Sequence, residues 1–348
     1  MWMELVPTSM AAMRMRYGIV TFGSIAMINA TTMNPEALVR RLRAETARFV
    51  KSLARARRGD ARGVHRARVA SRRLREALLI GDAIAPGQAE RLRRDLRRVT
   101  AALGQVRELD VALGVLDAEL EGESWPSRAV ARIREHLTHE RQHRARRMHD
   151  RIGRADVHRL AQRIDALAEA LAHASRTARM DELLALAVRR RARRLARTLD
   201  EAGTLYVPAS LHRVRIAAKK LRYSLELACH TARLPVGKDL GALRRLQLLL
   251  GRLHDLQVLQ THVQTVAAAA APDRAVTRTL EAIAARCESD CRDLQARFLR
   301  MSAALARVAE RARAARASHL TRPILRPGRR MARIGAAAAA RPRQAQRA

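Results

Sequence analysis

The feature that most constrains this chain is an internal repeat. His65 opens the run HRARVASRRLREAL and His212 opens HRVRIAAKKLRYSL. Leu103 opens LGQVRELDV and Leu250 opens LGRLHDLQV. His65 and His212 are 147 residues apart, and so are Leu103 and Leu250. Two matched blocks at one spacing, with no insertion between them, identify a tandem duplication of a unit of about 140 residues. Such a unit stacked on its own copy points to a pseudo-two-fold arrangement.

The repeated unit is helical. From Asn34 to about Ala317, apolar residues recur at spacings of three and four, and Gly and Pro fall between the segments. Breaks are predicted near Gly59–Gly63, Ala85–Gly87, Gly122–Pro126, Gly153–Asp156, Gly203–Pro208, Pro235–Gly237 and Ala271–Asp273. Aromatic residues make up only 2% of the chain against 48% hydrophobic residues overall, so the core is built from Ala, Leu, Val and Ile. That suits packed helices better than sheets. The expected organisation is a first half over about 34–175 and a second over about 181–317. Residues 1–33 are expected to be a disordered leader or an upstream mis-start, because Met33 begins a clean helix start, MNPEALVRRLRAE. Residues 318–348, low in complexity and basic, are expected to be a disordered tail. Cys229, Cys287 and Cys291 form no disulfide framework and are expected as buried, reduced thiols of a cytoplasmic protein.

Charge narrows the partners. Lys and Arg number 69 against 33 Asp and Glu, a formal net charge of +36. Only Lys51, Lys219, Lys220 and Lys238 are lysines. A GC-rich genome would by itself produce this Arg and Ala bias, so position must carry the argument. On a helix at about 100° per residue, His65, Arg68, Arg72 and Arg75 share one face within about 80°. Ala67, Ala70, Leu74 and Leu78 lie opposite and form the core stripe. In the second copy His212, Arg215, Lys219 and Arg222 share one face, and Val214, Ala217, Leu221 and Leu225 the other. Arg73 and Lys220 flank the two basic faces. Like charges stacked at this spacing repel, and nothing in a helical fold requires them; a phosphate chain would offset the repulsion through charge-assisted hydrogen bonds. A solvated charged face is the plainer alternative, but the same pattern survives in both copies while intervening residues differ.

The second block places a glycine, Gly104 or Gly251, inside a helical pattern, where it marks a close approach or a boundary. Arg93, Arg97 and Glu108 project near Gly104 on the helical wheel, with Arg107 about 60° away. Glu108 and Asp255 are expected to orient these arginines rather than to act as acid catalysts.

These four segments, two of the form H-x2-R-[VI]-A-x-[RK]-[RK]-L-R, each followed by LG-x2-[RH]-[ED], resemble the CHAD family, the conserved histidine α-helical domain. The resemblance spans about Asn34 to Ala317. It implies an all-α fold of two antiparallel four-helix bundles related by a pseudo-two-fold axis, with a basic channel or cleft between them and inorganic polyphosphate as ligand. The implied contacts are His65, Arg68, Arg72, Arg73, Arg75, Arg97, Arg107, His212, Arg215, Lys219, Lys220 and Arg222. Copy two departs from the pattern at His254, in place of Arg107, and at Gln257, in place of Asp110. Many family members also carry a CYTH domain, a triphosphate-processing barrel with an E-x-E-x-K signature, and that signature is absent from this sequence. No enzymatic activity and no cofactor are therefore expected, and the protein is expected on polyphosphate granules.

Three other readings of the sequence are weaker. His136, His139 and His143 share one helix face, but three ligands from a single helix rarely close a metal site, so they read as surface groups or extra phosphate contacts. Nonspecific nucleic-acid binding is the main alternative, since charge alone supports it; against it, stacking aromatics are nearly missing. No run is apolar enough to cross a bilayer, and aromatic anchors for a membrane surface are lacking.

Overall fold

The computed structural model describes residues 34–314 except 83, 121–124, 154–155, 174–177, 233–235 and 271–272. The predicted leader and basic tail lie outside the described residues. Within them the chain is helical: α1 Pro35–Arg57, α2 Ala61–Gly81, α3 Pro86–Leu120, α4 Ser127–Gly153, α5 Val157–His173, α6 Ala178–Ala202, α7 Pro208–Ala232, α8 Gly237–Ala269 and α9 Arg274–Arg313.

Local chemistry sets several of these ends. The Asn34 side chain accepts from the Ala37 amide, with Pro35 in the first turn, and Asp60 and Asp273 cap α2 and α9 in the same way. Gly59 and Gly203 follow the related helices α1 and α6 with φ of 83° and 57°, the left-handed conformation that only glycine adopts without strain.

The repeat is visible in the packing. In copy one α1 packs on α2, α2 on α3 and α3 on α4, and α5 returns to α1. In copy two α6 packs on α7, α7 on α8 and α8 on α9, and α9 returns to α6. The last element differs: α9 runs unbroken for 40 residues where copy one divides the same role between α4 and α5 after Gly153. The copies meet through related helices, α2 against α7 and α3 against α8. They also meet crosswise, α2 against α6 and α1 against α7. The two motif helices therefore lie at the seam between the copies.

The predicted core stripes are buried. Ala67, Leu74 and Leu78 on α2, and Val214, Leu221 and Leu225 on α7, are fully excluded from solvent apart from Ala70 and Ala217 at 3%. Burying one such leucine stabilises the fold by about 2 kcal/mol. One expectation fails. Cys287 and Cys291 are buried, but Cys229 is exposed, because it sits on the outward side of α7 next to the exposed His230.

Candidate functional site

Each motif helix buries its Ala/Leu stripe in its own copy, which turns its basic face toward the seam. The two faces converge there. The positive field of Arg72, on α2, falls on both Arg215 and Lys219 of α7, and Arg215 in turn acts on Arg68. Arg107 of α3 joins them beside His65 and Arg68. Six cationic side chains, Arg68, Arg72, Arg75, Arg107, Arg215 and Lys219, thus share one region with two carboxylates, Glu108 and Asp255.

The cost of this crowding appears in the titration of its members. Burial, then the neighbouring arginines, pushes Lys219 down to about 6, even with Asp255 nearby. Burial and Arg72 bring Arg68 down to about 10. Burial foremost also lowers Arg75 and Arg215. All four shifts have the sign expected of cations held out of water beside like charge. The imidazoles follow: His65 and His212 are lowered by burial and adjacent cations, and His254 falls to about 4. The His212 and His254 rings lie 4.9 Å apart, and His254 Nε2 is 3.7 Å from Glu108 Oε1 across the seam. Burial raises Asp255, against the pull of Arg215 and Lys219. Glu108 and Asp255 thus sit among the cations.

The second block positions this cluster. Arg68 Nη1 donates to the Thr100 carbonyl at 3.3 Å, and a Cβ at Gly104 would meet that same Nη1 at 2.5 Å. Gly104 is therefore the space in which the Arg68 guanidinium lies. Asp110 accepts from Arg141 Nε at 2.6 Å, and its counterpart Gln257 donates to the Tyr206 hydroxyl at 2.9 Å. Both residues at this position tie their helix to a neighbour. The Nε–H groups of Arg75 and Arg215 are buried with no protein acceptor among the described residues, which leaves donors for a bound ligand.

Not every expected contact is free. Arg73 bridges Glu45 and Glu226 at 3.5 and 3.8 Å, and Arg222 pairs with Glu226 at 3.0 Å while lying over the Tyr223 ring. Arg93 is turned from Gly104 to Asp82, Glu90 and the Leu78 carbonyl. Arg97 lies near Arg75, and Lys220 near Arg75 and α6. His254 is the main site group missing from the sequence expectation; its signal was the [RH] slot of the second block. Of the three histidines on α4, His136 meets His262 of α8, Nε2 to Nδ1 at 3.1 Å, and no group of three or more metal-ligating side chains is assembled among the described residues. No described helix is long and apolar enough to cross a membrane.

Comparison with known proteins bears on the family and the fold. A family model described as CHAD domain matches residues 40–264. The crystal structure of the CHAD domain from the plant Ricinus communis is similar at 22% identity, covering 86% of this chain and 99% of that one, with a TM-score of 0.56. PptA from Streptomyces chartreusis is similar at 20% identity, covering 81% of this chain and 99% of that one, with a TM-score of 0.55. These likenesses show the helical fold. No curated protein sequence matches the chain.

Proposed function

The chain belongs to the CHAD domain family, and from that premise we propose that it binds inorganic polyphosphate at the seam between its two copies, without catalysis, and is thereby carried to polyphosphate granules. One observation carries the reading: the basic faces of α2 and α7 form one cluster, in which Arg72 is close enough to depress Arg215 and Lys219. Cations forced together out of water are costly unless a polyanion neutralises them. Phosphate oxygens accept from guanidinium forks in pairs, which suits a cluster dominated by arginine. The residues are donors and cations; the two carboxylates lie among arginines, a poor setting for holding a divalent metal for hydrolysis. Phosphate release that scales with protein and survives repurification would count against the non-catalytic part.

A chain that touches both faces binds the second intramolecularly, so joint binding exceeds that of either half by orders of magnitude. The test measures affinity for long polyphosphate, oligophosphate and duplex DNA at several salt concentrations. Wild type is compared with Arg68→Ala/Arg72→Ala and with Arg215→Ala/Lys219→Ala. Either double substitution is expected to remove most long-chain affinity and to shrink the preference for long over short chains. If each instead halves the stoichiometry at unchanged affinity, the copies bind separately. Tighter binding of DNA than of polyphosphate at equal salt would make the protein a nucleic-acid binder.

A further inference from the structure

The two ends of the shared cluster are unequal. The 147-residue offset pairs Arg73 with Lys220, Arg75 with Arg222 and Arg97 with Arg244. At one end Arg75 faces Arg97, and Lys220 faces Arg75, Arg191 and Arg194, the last two from α6. At the related end Arg73, Arg222 and Arg244 stand with Arg41 and Arg48 of α1. There every guanidinium is held by a carboxylate. Glu45, 1% exposed, pairs with Arg41 at 3.3 Å, Arg48 at 2.9 Å and Arg73 at 3.5 Å. Glu226 pairs with Arg73 at 3.8 Å, Arg222 at 3.0 Å and Arg244 at 3.9 Å.

At the α6 end the carboxylate acting on Arg75 and Lys220 is Glu76, and it is already engaged by Arg191 at 3.3 Å and by the Ser224 hydroxyl at 3.3 Å. Arg75, Arg97, Arg194 and Lys220 form none of the ion pairs found among the described residues. The difference in carboxylates is written in the repeat itself: the counterpart of Glu226 in copy one is Leu79. A phosphate that approaches a free guanidinium gains a charge-assisted bond outright. One that approaches a paired guanidinium must displace a carboxylate, and the net gain is small.

We propose that a long polyanion leaves the shared cluster by one end only, along α6, where Lys220 and then Arg194 contact phosphates beyond those held in the cluster. This rests on the polyphosphate reading above. Arg194 and Lys220 are exposed and free of ion pairs, so their removal leaves the fold intact, which an unchanged melting temperature verifies.

The experiment compares Arg194→Ala/Lys220→Ala with Arg48→Ala/Arg244→Ala, using the full chain and both oligophosphate and long-chain polyphosphate. The first pair is expected to lower long-chain affinity about tenfold and the salt slope by about two, roughly one per lost contact, with a smaller loss for oligophosphate, because of the two only Lys220 adjoins the shared cluster. The second pair is expected to change neither. Glu226→Gln, which releases Arg222 and Arg244 and leaves Arg73 on Glu45 alone, is expected to raise long-chain affinity, a gain that misfolding cannot imitate. Equal losses from the two pairs, no loss from the first, or no gain from Glu226→Gln overturns the one-ended path. A wild type that binds polyphosphate while all variants behave alike overturns this inference alone; a wild type that binds none overturns the functional reading as well.

Discussion

Copy one places Arg72 where copy two places Lys219, and the two side chains crowd the same region of the seam. A guanidinium stays charged in almost any protein setting, whereas a buried ammonium gives up its proton. With Lys219 brought down to about 6 by burial and by Arg215, Arg72 and Arg68, the empty cluster has shed one charge near neutral pH. The duplication has thus produced one permanent half and one titrating half from the same motif. The largest predicted effect follows from this difference. Bound phosphates replace like-charged neighbours with opposite charge and raise Lys219 toward its ordinary range. Between the free and the bound value, binding takes up a proton, so affinity is highest below the free value and falls as pH rises through the window. One proton per complex corresponds to about tenfold per pH unit. Titration of long polyphosphate from neutral to alkaline pH is expected to show that slope in wild type. Lys219→Arg should flatten it, and Arg72→Lys should steepen it. A slope that survives in Lys219→Arg would assign the proton elsewhere. In the ligand-free protein the sign reverses: the unfolded chain holds the lysine proton to higher pH than the folded one, so this group's contribution favours folding more as pH rises.

Much of this arrangement is legible in the sequence. The apolar spacing around Leu74 and Leu221 identifies the buried stripes, and the constant offset identifies both copies. The opposed basic faces follow from the same helical period. What the sequence leaves open is set by contacts between elements distant along the chain. The wheel puts Arg93 near Gly104, but Asp82 and Glu90 hold it at the other side. Arg73 flanks the basic face on the wheel, yet its partners Glu45 and Glu226 come from α1 and from the other copy. The exposure of Cys229 reflects where α7 meets its neighbours, which one helix's periodicity does not determine.

The paired glycines sharpen the comparison with a smaller effect. A Cβ at Gly104 collides with Arg68 Nη1, the movable end of a long side chain, while a Cβ at Gly251 meets nothing within 4 Å. Alanine in a helix interior is favoured over glycine by about 1 kcal/mol. Gly251→Ala is therefore expected to stabilise the protein by about that amount and leave binding unchanged. Gly104→Ala gains the same propensity but pushes Arg68 from the Thr100 carbonyl and from the cluster. Its stability is expected to change little while polyphosphate affinity falls about tenfold, the equivalent of one displaced charge-assisted contact. Equal behaviour of the two variants would show that Gly104 is not the seat of Arg68.

The smallest predicted effect tests whether the copies still differ where no ligand reaches. Ser71 is fully buried, its hydroxyl against the Thr100 hydroxyl and 3.2 Å from the Leu96 carbonyl, and Thr100 also donates to that carbonyl at 2.6 Å. The related positions in copy two are Ala218 and Gln247, and the Gln247 amide nitrogen is buried without a partner among the described residues. Copy one thus joins α2 to α3 with a buried hydroxyl pair that Ala218 and Gln247 do not form between α7 and α8. Ser71→Ala removes one buried hydroxyl and leaves Thr100 its own-helix acceptor, so it should cost about 1 kcal/mol. Ala218→Ser supplies an oxygen near a buried amide donor, and satisfying that donor offsets the burial of the new hydroxyl. It is expected to leave stability unchanged or slightly raised. Urea unfolding at constant m-value measures both, and polyphosphate affinity should not move in either variant, since neither side chain lies on the basic face. A loss in Ala218→Ser as large as in Ser71→Ala would mean that α7 and α8 are not spaced as α2 and α3 are, and the equivalence of the two seams would fail at this layer.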